Sequence, residues 1–315
     1  MLLGLTALVL GASISHGLAQ AFPAKPVRMI VQTAPGSSID VAARILADNL
    51  TRLWGQQVLI LNQPGAGGAI AVRALSAAPN DGYTLFFAAS SVFVVLPELQ
   101  NALASDVRAF VPVAFVGDTP MVVAVSTKTR ANSLAELLDL TKNTSGGLNV
   151  AVSTRGGLSH LSAESLRQKA GVDMNFVHYP GTAQAMTDVI ADRVPVAVDS
   201  ISAMVGPTKG GQIKMLAVGS PSRLKSFPDL PAASETLPGF EATAWFALVA
   251  PEGTDPEIVR KVGVDVDAAL AEPAVRARLE ELGTFARSMP VSELRSFIDA
   301  QRQKWAPIVR GAGGG

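Results

Sequence analysis

Pro26-Val-Arg-Met-Ile-Val-Gln-Thr-Ala-Pro-Gly-Ser-Ser-Ile-Asp40 decides the fold. Val27, Met29, Ile30 and Val31 make a short apolar run of the kind a buried parallel strand needs. Ala34-Pro35-Gly36 stops it. Ser37 and Ser38 are natural helix caps, with Asp40 in or near the first turn. Ile39, Ala42, Ala43, Leu46, Leu50 and Leu53 then recur at helical spacing as far as Trp54-Gly55. A strand, a tight turn and a helix leave backbone N–H groups pointing out of the helix start. That arrangement favours a phosphate or a carboxylate.

Composition narrows the choice. The chain has 315 residues, 48% hydrophobic and 17% charged, enough for one large core or two ordinary ones. Lys+Arg 26 balances Asp+Glu 26, so no net field points to nucleic acid or an anionic membrane. There is no cysteine, which excludes thiol catalysis, cysteine metal sites and disulfides. Residues 1–21 read as a cleaved signal peptide. Met1 to Gln20 carries no charge, Leu2 to Leu10 is apolar, and Ala19-Gln20-Ala21 has the small-x-small form of a cleavage site. A membrane anchor is the other reading; Gly11, Ser13, Ser15, His16 and Gly17 interrupt it well short of the roughly 20 apolar residues that a span requires.

The same unit recurs along the chain. Gln57 to Asn62 is a second strand, followed by the loop Gln63-Pro-Gly-Ala-Gly-Gly68 and a helix from Ala69 to Ala78. Pro79-Asn-Asp-Gly82 is a turn before a third strand, Tyr83 to Ala88, which ends at Ala89-Ser90-Ser91. Such a series predicts a parallel sheet with right-handed crossovers. Val113–Val116 and Met121–Val125 read as two apolar strands split by Gly117-Asp-Thr-Pro120. Beyond them Leu148–Val152, Met174–Tyr179, Val194–Val198 and Ile213–Val218 alternate with helices at Ser133–Leu140, Leu158–Ala170 and Ala183–Asp192. Glu241 to Ala250 is a long strand. The remainder is helical: Asp255–Ala271, a short helix from Pro273, and Val291–Val309 with Ser292 as its cap. Gly311–Gly315 reads as a flexible tail.

The pattern predicts an α/β protein of two lobes, each a mostly parallel sheet flanked by helices, with two crossing hinge strands. Lobe 1 is 22–115 plus 246–315 and lobe 2 is 116–245. Ligands of such architectures sit at the carboxyl ends of the strands, here in the cleft.

Phe22-Pro-Ala-Lys-Pro-Val-Arg28, Ala34-Pro-Gly, Asp40, Ala43-Arg44, Gly55-Gln56, Asn62-Gln-Pro-Gly-Ala-Gly-Gly68 and Pro79-Asn-Asp-Gly-Tyr-Thr-Leu85 together resemble the Bug family. These are periplasmic solute receptors of tripartite tricarboxylate transporters, with the type II binding-protein fold. His160-Leu161, Glu164, Gly171-Val172, His178-Tyr179, Gly181 and Asp199-Ser200 match more loosely. The resemblance implies a monomeric, periplasmic receptor that closes on a small organic anion: a di- or tricarboxylate, an acidic amino acid or an aromatic acid. It also implies membrane permease subunits as partners, with no cofactor, metal or nucleic acid. By position it assigns Ala34, Pro35, Gly36, Ser37, Ser38, Asp40, Asn62, Gly67, Gly68 and Ser90 to the ligand site from lobe 1. From lobe 2 it assigns Thr154, Arg155, Gly156, Ser159, Tyr179, Gly181, Thr182 and Asp199. The chain departs from the family at Ser37 and Gln63, commonly Gly and Arg. It also departs at Thr154 and Gly157, which take the places of a glycine and a hydroxyl residue.

The residues also have plainer readings. Asp40 could serve only its helix dipole, Asp199 could cap a helix beginning near Ile201, and Gly65–Gly68 could be a tight connection. His160 and His178 read as structural, with His160 satisfying a local hydrogen bond. Enzyme readings find little footing. Gly157-Leu-Ser-His-Leu161 lacks the second glycine of a nucleophile elbow, no phosphate-binding glycine motif follows a strand, and no cluster has metal-ligand spacing. A signalling subunit read by a sensor kinase is the alternative to uptake; a hydrolase on Ser159 and His160 is a distant third.

Overall fold

The computed structural model describes residues 22–153 and 155–313. The expected signal peptide, Thr154 and the last two glycines lie outside the described residues. Described in chain order, the strands are β1 (Val27–Val31), β2 (Val58–Asn62), β3 (Thr84–Ala89), β4 (Val111–Ser126), β5 (Leu148–Val152), β6 (Met174–His178), β7 (Val196–Ser200), β8 (Ile213–Val218), β9 (Thr243–Ala250) and β10 (Phe285–Ala286). The helices are α1 (Ser38–Trp54), α2 (Ala69–Ser76), α3 (Ser90–Val94), α4 (Leu96–Leu99), α5 (Ala104–Ala109), α6 (Leu134–Lys142), α7 (Leu158–Ala170), α8 (Thr182–Ile190), α9 (Ile201–Lys209), α10 (Pro256–Ala271), α11 (Pro273–Glu281) and α12 (Val291–Gly313).

The strand order is β2-β1-β3-β9-β4-β7-β5-β6, with β8 and β10 also paired to β4. Two parallel triplets stand at the ends, β2-β1-β3 and β7-β5-β6. Between them β9 and β4 run antiparallel to their neighbours. The fold is therefore mixed α/β, with each half covered on both faces. In the first half one face packs under α1, α10 and α11, and the other under α2, α3 and α12. In the second half α6 and α7 cover one face, and α8 and α9 the other. Burial on both faces explains the unbroken apolar runs; β3 is buried along its whole length.

One expectation is corrected here. The two strands proposed at 113–116 and 121–125 are a single strand, β4. Its first part pairs with β9 as far as Pro120↔Thr243, and its second part pairs with β7 from Met121↔Ser200 onward. Proline is tolerated because it falls where partners change. Asp118 is the last residue paired with β10 and Met121 the first paired with β7, so no ladder bond needs the missing N–H. Register shifts between Pro112 and Ala114, and between Phe115 and Gly117, bend the strand on its way across.

The crossing is tied by three backbone bonds. Met121 N–H donates to Ala242 O (2.9 Å), Ala242 N–H to Gly219 O (2.8 Å), and Gly219 N–H to Met121 O (2.7 Å). A Cβ on Gly219 would stand 2.4 Å from the Ala242 carbonyl oxygen, so only glycine allows this approach.

Three smaller readings also change. The apolar stripe of α1 skips Leu53, which is 53% exposed, while Trp54 packs against the same core and donates its indole N–H to Asp265. Ser292 lies inside the first turn of α12, because the Pro290 carbonyl already accepts from Glu293 and Leu294. The helix continues through Gly313, anchored by buried Trp305 and Val309 and by Ala312 packed on the same core, so the first part of the expected tail is helical.

Candidate functional site

The topology brings the carboxyl ends of both triplets to the same place. Ala89, the last residue of β3, is opposite Phe246, which is opposite Gly117 of β4. Four residues further, Met121 of the same strand is opposite Ser200, the last residue of β7. The turns after β1, β2 and β3 therefore meet the turns after β5, β6 and β7 across residues 117–121.

In the first turn Ala34, Pro35, Gly36 and Ser38 are exposed, and Asp40 is buried. Ser37 caps α1 by accepting from Asp40 N–H (3.2 Å), and its hydroxyl also pairs with that of Thr33 (2.7 Å). The Asp40 carboxylate is fully engaged inside the turn. It accepts from Gly36 N–H (2.8 Å), from Arg44 Nε and Nη2 (2.9 and 3.0 Å) and from Asn62 Nδ2 (2.8 Å). Burial alone would raise its pKa; the hydrogen bonds from Arg44, Asn62 and Gly36 outweigh that and hold it at about 2. Asp40 thus shapes the turn from behind, and among the described residues the N–H groups of Ser38 and Ile39 take no partner.

Asn62 does the same from the second turn, its amide reaching both Asp40 and the Thr33 carbonyl (2.9 Å). After it the backbone runs left-handed through Ala66 (φ 47), Gly67 (φ 66) and Gly68 (φ 103) into α2. Gly68 is buried, where a Cβ would meet Val92 at 3.2 Å; Gly67 is exposed. Ser90 is also buried, its hydroxyl directed at Trp245 N–H (3.4 Å). Gln32 binds this turn on both sides, accepting from Ala89 N–H (3.0 Å) and donating to Ser91 Oγ (3.3 Å).

In the second half Ser159 is buried and closes its turn. Its Oγ accepts from Ser153 N–H (2.9 Å) and donates to Val198 O (2.6 Å). Gly156, at φ 75, donates its N–H to His160 Nδ1 (3.1 Å). Arg155 is exposed in this turn. Gly181 precedes α8, and the Thr182 hydroxyl donates to Asp199 Oδ2 (2.9 Å). Asp199 is buried; burial raises its pKa against the hydrogen bonds it accepts, including one from Ser200 N–H (2.7 Å). It is not the cap of α9, whose capping position is Ser200. The Tyr179 hydroxyl donates to Asp188 Oδ2 (2.7 Å). Burial and that carboxylate push its pKa up to about 12.

Five of the six helix starts at these turns share one property; α1, capped by Ser37, is the exception. α2, α3, α7, α8 and α9 have no side-chain cap bond, their capping positions being Gly68, Ala89, Gly157, Gly181 and Ser200. α6 and α10 begin at the opposite strand ends, and there Ser133 and Asp255 cap in the ordinary way. Uncapped N–H groups gathered at one place suit an anion. A cavity of about 320 Å³ behind the crossing strands, lined by Asp118, Trp245, Arg287, Phe297 and Lys304 among others, includes no residue of these turns.

Sequence reasoning passed over Arg44 and Gln32 as site residues. The four-residue spacing of Asp40 and Arg44 is a usable sign of a helical ion pair; Gln32 carries none, since its partners come from β3 and α3.

The family model described as the tripartite tricarboxylate transporter family receptor matches residues 42–313. The Bordetella pertussis protein BugT is 33% identical over 301 residues, covering 94% of this chain and 91% of BugT. Among solved structures, Rpa4515 of R. palustris, determined with adipate, aligns at TM-score 0.80 and 28% identity over 93% of this chain and 98% of its own. MatC from Rhodopseudomonas palustris, with bound malate, aligns at TM-score 0.75 and 29% identity over 91% of this chain and 100% of its own.

Proposed function

The chain belongs to the tripartite tricarboxylate transporter receptor family, a family of periplasmic solute-binding receptors, and from that membership we propose that it captures a small organic dicarboxylate and delivers it to membrane permease subunits. The observation that carries this reading is the set of helix starts gathered from both halves around residues 117–121, five of them without a side-chain cap and the sixth, α1, with the N–H groups of Ser38 and Ile39 unpartnered.

We assign one carboxylate to the turn Ala34–Ser38, where Ser38 and Ile39 offer N–H groups, with Asn62, Gly67, Gly68 and Ser90 around it. The second carboxylate goes to the turn Arg155–Ser159, with Arg155 as its cation and the start of α8 at Gly181 and Thr182 beside it. Each helix terminus contributes about 0.3–1 kcal/mol toward a nearby charge. Asp40, Asp199 and Tyr179 support the turns rather than touch the ligand. The two lobes, 22–115 plus 246–315 and 116–245, would close by bending at the crossing strands. Two related proteins solved with adipate and malate favour a dicarboxylate over a single acid group. Export through cleavage within 1–21 places this activity in the periplasm.

Deletion of the gene followed by uptake of labelled malate and adipate tests the proposal. Lost uptake of one acid is the expected result. Intact uptake of both with lost transcriptional induction by either acid would move the assignment to a sensor-kinase subunit.

A further inference from the structure

The turn after β5 is held by a side chain outside the set assigned above. We infer that His160 is the positioning residue of that turn, holding Gly156 left-handed so that the N–H groups starting α7 stay open to a carboxylate. This rests on the receptor reading and deepens it.

The two halves solve one geometric problem in the same way. Gly36 has φ 82 and donates its N–H to Asp40, four residues on (2.8 Å). Gly156 has φ 75 and donates its N–H to His160, also four residues on (3.1 Å). Asp40 and His160 are each the third residue of the helix that follows. In both turns the acceptor removes the glycine N–H from the mouth of the site and pins the chain reversal. A carboxylate does this in one half and an imidazole in the other.

An imidazole accepts only through an unprotonated nitrogen, so the ring proton lies on Nε2. The surroundings keep the ring neutral. His160 is 4% exposed and packs edge-on against His178 (4.6 Å between centroids) and Phe176 (5.3 Å). The charged and titratable groups facing it are His178 on β6, Arg155 in the turn and Glu164 on its own helix. Burial, then His178 and Arg155, lower its pKa to about 4 against the opposing pull of Glu164. Protonation turns Nδ1 into a donor and sets it against Gly156 N–H. The second-half turn then opens in acid while the Asp40 turn still holds.

A purely packing role for the ring is the competing explanation, and two substitutions separate them. His160→Asn puts an amide oxygen near the Nδ1 position and does not titrate; His160→Leu fills the space without an acceptor. Calorimetric titration of the mature protein with malate and with adipate at pH 7 should show about tenfold weaker binding for His160→Leu, as loss of one hydrogen bond implies. His160→Asn should stay within about threefold of wild type. In ligand-free wild type, the Gly156 amide resonance should titrate with the His160 ring. Wild-type affinity in His160→Leu, or a Gly156 amide indifferent to His160 titration, overturns the inference. If wild type binds neither acid, the receptor reading fails, and the amide titration alone still decides whether His160 holds the turn.

Discussion

Arg44 grips Asp40 from one helical turn away with two nitrogens, Nε on Oδ2 at 2.9 Å and Nη2 on Oδ1 at 3.0 Å. The forked pair fixes the carboxylate so that its remaining capacity falls on Gly36 N–H and the Asn62 amide. A helix, a glycine turn and a neighbouring strand end are thus joined through one buried side chain.

Removing that side chain should be costly. Asp40→Ala leaves Gly36 N–H and the Asn62 amide without their acceptor and should lower stability by about 3 kcal/mol in urea denaturation. The wild type should show the matching pH dependence. The folded pKa of about 2 lies below the ordinary 3.8, so the contribution is complete above pH 3.8 and is lost as pH falls toward 2. Its size is on the order of 2 kcal/mol. Denaturation at stepped pH checks this, and a shallower fall for Asp40→Ala than for wild type in that window is the expected result.

His160 should act in a higher window. Its pKa of about 4 lies below the ordinary 6.5, so the unfolded chain binds the proton first. Stability from this group is complete above pH 6.5 and falls progressively toward pH 4. The melting temperature of wild type should drop across that range more steeply than that of His160→Asn. Equal slopes for the two proteins contradict the assignment.

Ser159 ties the turn after β5 to Val198 of β7, just beyond the last ladder pair of those strands, Ala151↔Ala197. Ser159→Ala leaves Ser153 N–H and Val198 O unpaired at a buried point and should cost about 1–3 kcal/mol. Dicarboxylate affinity should weaken with it, since the turn loses its floor. A variant as stable as wild type would show that water replaces the hydroxyl without loss.

At the crossing, Gly219→Ala should destabilise by at least about 2 kcal/mol, because its Cβ meets backbone rather than a yielding side chain. Gly36→Ala is the useful contrast. No atom lies within 4 Å of its Cβ, so only the left-handed backbone at φ 82 opposes it, at about 1 kcal/mol. Denaturant midpoints of the two variants should separate clearly.

Much of this was legible because it is local. Val27–Val31, the Pro35-Gly36 turn and the stripe from Ala42 to Leu50 need only their own periodicity and turn chemistry to be read. The second-half turn at Ser153–Gly157 repeats the logic and was readable for the same reason. What stayed hidden depends on distant partners. Pro120 looks like a strand breaker until β7, β9 and β10 show that partners change around it. Asp40 and Tyr179 are polar residues at turns, and nothing near them in sequence says that Asn62 and Asp188 consume their polar atoms. The short helices between Ser90 and Ala109 lie in an apolar stretch with no clear period, and burial rather than propensity forms them.

The most direct measurement is thermal melting of the mature protein, from Phe22 onward, against malate, adipate and their monoamides. A ligand that binds only the folded state at 100 times its dissociation constant adds about 2.7 kcal/mol. For a chain of this size that is a rise of several degrees. A dicarboxylate receptor gives that rise with one of the diacids and a much smaller one with its monoamide, since one turn then faces a neutral group. Equal shifts for diacid and monoamide, or no shift with any of them, would contradict a site built for two carboxylates.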